Sequence, residues 1–170
     1  MDTLATIRER RSVRTYKTVS IPAGDLKQIL EAAHQAPSAA NRQPWHFVIV
    51  SDPEQKQRVA QACNNQMWMA DAACIIVAAG RPQVTEKWYR VDVAIALQNM
   101  VLAAASLGYG TCWIGAFSGE AVREVCGLPA DYDVVACSPL GVPELVPPAR
   151  QRKEWDEIFS RDRFGEPLEI

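Results

Sequence analysis

Apolar residues recur along most of the chain at helical or strand spacing, and Pro and Gly mark the breaks between them. In "DTLATIRER" (2–10) Leu4 and Ile7 share one helical face. "PAGDLKQILEAAHQA" (22–36) is a clearer amphipathic helix, with Leu26, Ile29, Leu30 and Ala33 in one stripe. Pro22 suits its first turn, and Pro37 stops it. "WHFVIV" (45–50) lacks helical periodicity and predicts a buried strand. Asp52 and Pro53 then open a short helix over "DPEQKQRVAQAC", and "ACIIVAA" (73–79) predicts a second strand.

The longest apolar segment, from Thr85 to Leu107, predicts a helix that Gly108 ends. Its polar residues Asp92, Asn99 and Ser106 recur every seven positions, a thin polar line on an otherwise apolar cylinder. Such a helix needs cover on nearly every side, more than one small domain supplies. A homodimer with this helix at its centre meets that need. A strand over "TCWIG", a helix over "GEAVREVCGL" and a strand over "YDVVACSPLGV" follow, then the Pro-rich "PELVPPAR" and a short helix near "KEWDEIF". Helices outnumber strands in irregular order, which predicts an α+β fold with a mixed central sheet flanked by helices.

The length of 170 residues fits one domain over residues 1–170, and 48% hydrophobic with 22% charged residues fits an ordinary globular chain. A net charge of −2 argues against a general nucleic-acid binder. Cys63, Cys74, Cys112, Cys126 and Cys137 form no C-x-x-C pair and lie in or beside apolar runs. Buried free thiols and a reducing, cytoplasmic setting are expected. No apolar targeting region follows Asp2, and the most apolar stretch, 91–107, carries polar residues that argue against a membrane span.

Against this near-neutral background, "ERRSVRTYK" gathers Arg10, Arg11 and Arg14 around Ser12, with Arg8 just ahead. Such a cluster is a solvated helix face, a set of salt bridges, or a phosphate site in which guanidinium forks and a hydroxyl meet phosphate oxygens. "APSAANRQPWHF" (36–47) places Ser38, Asn41 and Gln43 in a proline-bounded loop. It is either a connector or a platform for a planar, heteroatom-rich ligand. "GYGTCWIGAF" (108–117) resembles a dinucleotide fingerprint, but Trp113 stands where the third glycine belongs and the stretch follows a helix. A close backbone approach to a ligand through Gly110 and Gly115 remains open. His34 and His46 are the only histidines, and no spacing suggests a nucleophilic triad or a metal site.

Together "RRSVRTY", "IPAGDLKQILEAAHQAPSAANRQPWHFVIV", "VAIALQNMVLAAASLGYGTCWIG" and "PPARQRKEW" resemble, in order, the FMN-dependent nitroreductase family. The resemblance covers nearly the whole chain. It implies a nitroreductase-like α+β fold, an intertwined homodimer and FMN bound at the subunit interface. Arg10, Arg11, Ser12 and Arg14 would bind FMN, and Arg150 and Arg152 would close on its phosphate. Pro37, Ser38, Ala39, Asn41 and Gln43 would reach the flavin held largely by the other subunit. Ile114 and Gly115 would offer backbone N–H groups near flavin N5 and O4, and Asn65 would face the ring. "RPQVTEKWYR" (81–90) is shorter than the pocket-shaping segment of many family members, and Trp88 and Tyr89 either line the pocket or pack in the fold.

The implied activity is hydride transfer from NAD(P)H through flavin N5 to a nitroaromatic, a quinone or a similar acceptor, by a ping-pong route. Because the flavin performs the chemistry, no catalytic side chain is required, which suits a chain so poor in histidine. The partners implied are NAD(P)H, a small-molecule acceptor and a second copy of the chain, with neither nucleic acid nor membrane. The alternatives are a specialised reductive flavoenzyme (a dehalogenase or enone reductase), a flavin-binding sensor without turnover, and a flavin-free anion-binding module.

Overall fold

The computed structural model describes residues 2–169. Five α-helices, α1 (Thr3–Glu9), α2 (Ala23–His34), α3 (Pro53–Ala62), α4 (Tyr89–Ser106) and α5 (Gly119–Val125), surround five strands. The strands are β1 (Tyr16–Lys17), β2 (Trp45–Val50), β3 (Cys74–Gly80), β4 (Gly110–Thr111) and β5 (Asp133–Pro143). The sheet order is β1-β5-β3-β2, with β4 also pairing with β5. All four ladders run antiparallel, and an isolated bridge between Ser12 and Thr111 is parallel.

β3 is buried along its whole length. Successive side chains of a strand point to opposite faces, so its apolar run feeds two cores. Cys74, Ile76 and Ala78 meet Ile29, Ala33, Val93, Leu97 and Met100 from α2 and α4. Ile75 and Val77 meet Val59, Ala60 and Val122 from α3 and α5. At the end of β3, a Cβ on Gly80 would stand 2.8 Å from Val93 Cγ2, so the bare backbone lets α4 lie close against the strand.

Helix α4 starts at Tyr89 rather than Thr85, because residues 85–88 form a turn that closes through Trp88 N to Thr85 O. Its heptad-spaced polar line is engaged with backbone. Asn99 Nδ2 donates to Ala32 O at 3.1 Å, Asp92 Oδ1 accepts from Ala39 N at 3.1 Å, and Ser106 Oγ donates to Ala103 O. The polar line therefore fastens α4 to α2 and to the loop beyond it. The side left without cover carries Val91 (43% exposed) and Ile95 (37%), beside Ala94 and Gln98. Leu97 and Met100 are wholly buried inside the protomer.

Four other features differ from expectation. "TCWIG" pairs as a strand only through Thr111, and Ile114 adds an isolated bridge to Cys137. The final helix is reduced to a 3-10 turn, Trp155–Glu157, because Trp155, Ile158 and Phe159 find no core in the protomer to bury them. The short strand β1 and a 3-10 turn at Met67–Asp71 carry too few residues to show a period. Among the described residues, no helix is long and apolar enough to cross a membrane. All five cysteines are free thiols.

Candidate functional site

Helix α1 ends at Arg10, whose N–H still donates to Thr6 O at 2.9 Å. The chain then turns extended and is pinned to β4: Ser12 bridges Thr111, and Val13 N donates to Thr111 O at 2.9 Å. Val13 points inward and is 3% exposed. The alternation of an extended chain leaves Ser12 and Arg14 on the opposite face. A Cβ on Gly110 would lie 2.8 Å from Val13, so Gly110 serves the packing of this segment, and its close approach is to the protein itself.

Arg8, Arg10, Arg11, Ser12 and Arg14 line one cleft of about 600 Å³, closed on its other side by Pro147, Pro148, Arg150 and Arg152. The ion pairs among the described residues join His34 to Glu31, Arg81 to Asp131, Arg90 to Asp133 and Lys153 to Glu157. Among the described residues, no carboxylate forms an ion pair with any of the six arginines in the cleft. The salt-bridge reading of the cluster therefore falls. Like charges gathered without a counter-charge repel one another, and a bound dianion turns that cost into attraction. Arg11 is partly committed, since its Nη1 donates to Arg8 O (2.6 Å) and Arg10 O (3.0 Å).

Two turns lie at the end of the α3/α5 layer. Asn64 and Asn65 both adopt left-handed backbone (φ 54° and 55°), which leaves Asn65 exposed. Gln66 Nε2 donates to Cys63 O and reaches Ala116 O, while Ser118 N donates to Ala62 O, so this turn is tied to the one carrying Gly115. Ile114 N donates to Cys137 O at 2.8 Å and is thereby spent within the fold. Gly115 N has no partner among the described residues, and a Cβ there would meet nothing within 4 Å. Of the two amides expected to face a ligand, only that of Gly115 is open to one.

The loop 37–43 stands apart. Pro37, Asn41 and Gln43 are exposed, Ser38 and Ala39 half-buried, and none lines the arginine cleft. It is fastened instead to the first turn of α4 through Asp92. Tyr89 is buried, donating to Asp133 Oδ2 at 2.7 Å and accepting from Arg90 Nε at 2.7 Å, so it packs in the fold. Trp88 is 53% exposed. Sequence reasoning missed Arg8 as a cleft residue, although its i,i+3 spacing to Arg11 was the available signal. It also missed Gln66 and Asp92, which act through contacts that no local pattern reveals.

No cysteine of the described residues lines the cleft. Burial raises the Cys112 thiol above its ordinary range, opposed by Arg14 and by a hydrogen bond with Ser12. Burial likewise pushes Cys74 and Cys126 up to about 11. Neutral thiols neither attack nor ligate. What the site offers is cationic and amide recognition of an anion.

The sequence model of the Nitroreductase family matches residues 7–74 and 61–142. A protein of Archaeoglobus fulgidus named for NADH dehydrogenase/NAD(P)H nitroreductase is 34% identical over 168 residues, with 95% of each chain covered. The NADPH-flavin oxidoreductase of Vibrio harveyi is 31% identical over 97% of this chain and 75% of its own length. Among solved structures, a nitroreductase family protein from Clostridium novyi NT superimposes with a TM-score of 0.81 at 32% identity, covering 98% of this chain and 96% of that one. The V. harveyi NADPH:FMN oxidoreductase, solved in complex with NAD+, gives 0.88 at 28% identity, covering 99% and 79%. With the fold, the unpaired arginine cleft and matches spanning nearly its whole length in agreement, the chain belongs to the nitroreductase family.

Proposed function

We propose that this member of an enzymatic family is an FMN-dependent NAD(P)H oxidoreductase acting as a homodimer on nitroaromatic, quinone or similar acceptors. The observation that carries the reading is the cleft in which six arginines and Ser12 converge without a carboxylate partner among the described residues. That donor set suits a terminal phosphate, and the relatives named for NAD(P)H and flavin supply the matching chemistry. The cleft offers one set of phosphate donors, which suits FMN. When bound, FMN would accept a hydride from the nicotinamide and pass it to the acceptor.

The chain's own residues bind and orient. Arg10, Ser12, Arg14, Arg150 and Arg152 would hold the phosphate and ribityl end. The Gly115 N–H would donate to the ring edge, and Asn65 would hydrogen-bond the ring. The loop 37–43 would complete the site from the partner, because it lies away from the arginine cleft of its own protomer. The uncovered apolar side of α4 is the surface that would bring the two copies together.

The protein is expected to purify yellow with about one FMN per chain, the ratio that one phosphate cleft per protomer implies. A colourless protein that leaves FMN fluorescence unquenched on titration would overturn the reading. With NAD(P)H and a quinone or nitroaromatic, initial rates should give parallel double-reciprocal lines, since one open flavin face must serve both substrates in turn. Intersecting lines would show both bound together and rule out the shared pocket.

A further inference from the structure

Asp92 is the one acidic residue in the first turn of α4, and it is 2% exposed. Oδ1 accepts from Ala39 N at 3.1 Å, and Oδ2 has no hydrogen-bond partner among the described residues. No Lys, Arg or His of the described residues forms an ion pair with it. Burying a carboxylate on so little compensation is costly, and an alanine or leucine at this helical position would avoid the cost. What neither could supply is an acceptor for the Ala39 N–H.

That N–H starts a loop that its own sequence does not favour. Ala40 (φ 50°), Asn41 (φ 54°) and Gln43 (φ 48°) all take left-handed backbone, and the loop contains no glycine. Inside the loop, Ser38 Oγ accepts from Gln43 N at 2.9 Å and Asn41 N donates to Ser38 O at 2.9 Å. Asp92 is the side-chain anchor from outside it. Two turns further along α4, Asn99 holds Ala32 O of α2, so a single helix fixes both the helix before the loop and the loop itself. The same helix carries Val91 and Ile95 on its uncovered side.

We infer that Asp92 is a positioning residue: its carboxylate holds the 38–43 loop, through Ala39 N, in the strained shape that presents Ser38 and Asn41 to the flavin. This rests on the flavin reading above. It assigns the buried side chain, as a hydrogen-bond acceptor, a role in cofactor affinity rather than in stability.

The test measures FMN dissociation constants, by fluorescence quenching on the full-length protein, and thermal midpoints. The variants are Asp92→Asn, Asp92→Ala, Ala39→Pro and the double variant Asp92→Ala with Ala39→Pro. Ala39→Pro removes the donor from the loop side without touching the core. The site tolerates proline, because it opens a 3-10 turn and Ser38 before it is extended (φ −144°, ψ 159°). Asp92→Ala and Ala39→Pro should each raise the FMN dissociation constant about tenfold or more, the size expected of one lost hydrogen bond to a charged acceptor. Asp92→Asn, whose amide oxygen accepts the same N–H, should stay within about threefold of the parent. The double variant should lose no more than the worse single one, because both remove one bond.

Unaltered affinity in Ala39→Pro would overturn the inference, whatever the fold of Asp92→Ala. So would losses that multiply in the double variant, or losses that follow the thermal midpoint. Failure of the parent protein itself to bind FMN would instead overturn the flavin reading.

Discussion

Replacing Ile95 with Asp should give a colourless, folded monomer. Ile95 and Val91 lie on the side of α4 that the protomer leaves open, at a depression of about 570 Å³ bordered by Gln98, Asn99 and Trp113. Trp113 is partly exposed there, its Nε1 donating to Gln98 Oε1 at 3.1 Å. In an obligate interface this patch would be core-like, and an unpaired carboxylate at its centre costs about 3–5 kcal/mol. That corresponds to a dimer dissociation constant raised by roughly two to four orders of magnitude. Flavin should be lost with the dimer, because the 37–43 loop would be supplied by the other copy. The protomer should stay folded, since Ile95 contributes nothing to either buried core. Leu97→Asp provides the contrast, as it places a charge at a wholly buried position and should abolish folding outright. Sedimentation velocity with visible absorbance decides the matter. A flavin-loaded monomer, or an unchanged dimer, would refute the proposed assembly.

The second large effect belongs to the arginines. Arg10→Ala should weaken FMN binding by roughly one to two orders of magnitude, the worth of one charge-assisted hydrogen bond at about 1.5–3 kcal/mol. The parent should also lose affinity as salt rises, and the variant should lose it less steeply, because fewer cations face the anion. Arg14 lies two residues past the bridge that pins Ser12 to Thr111, further along the extended chain. If it stands near the ring, Arg14→Ala should lower the flavin's midpoint potential as well, since a nearby cation favours the more electron-rich form. Redox titration of both variants after FMN reconstitution separates the roles. An unchanged potential in Arg14→Ala would place this residue at the phosphate end with Arg10.

Much of the fold was legible because its signals are local. The Leu26–Ala33 stripe marks α2, Asp52 and Pro53 mark the start of α3, and Gly108, at φ 86°, ends α4. The bounds of the strand 45–50 were legible to the residue, since an apolar run sits between Pro44 and Ser51, but it is a half-buried edge strand rather than the buried one expected, because β2 has a neighbour only in β3. β1 was not legible. Its two residues are held by Val142 and Pro143 of β5, which no local pattern encodes. The terminal helix failed for the opposite reason, because its helical pattern has nothing in the protomer to pack against.

The sequence by itself offered Arg10, Arg11, Ser12 and Arg14 as one reading among three, a phosphate site, and the family resemblance added Arg150 and Arg152. The chemistry of a guanidinium is local, and the order of motifs is written in the chain. Only the tertiary structure decided that these six converge and that no carboxylate of the described residues answers them, because ion pairing depends on neighbours distant in sequence. It also decided that Ile114 spends its N–H on Cys137 while Gly115 keeps its own. The heptad line on α4 is the sharpest case. Spacing identified Asp92, Asn99 and Ser106 as one face, but a helix presents the same face whether it meets water or backbone. Packing against α2 and the 38–43 loop turned that polar line into a set of anchors.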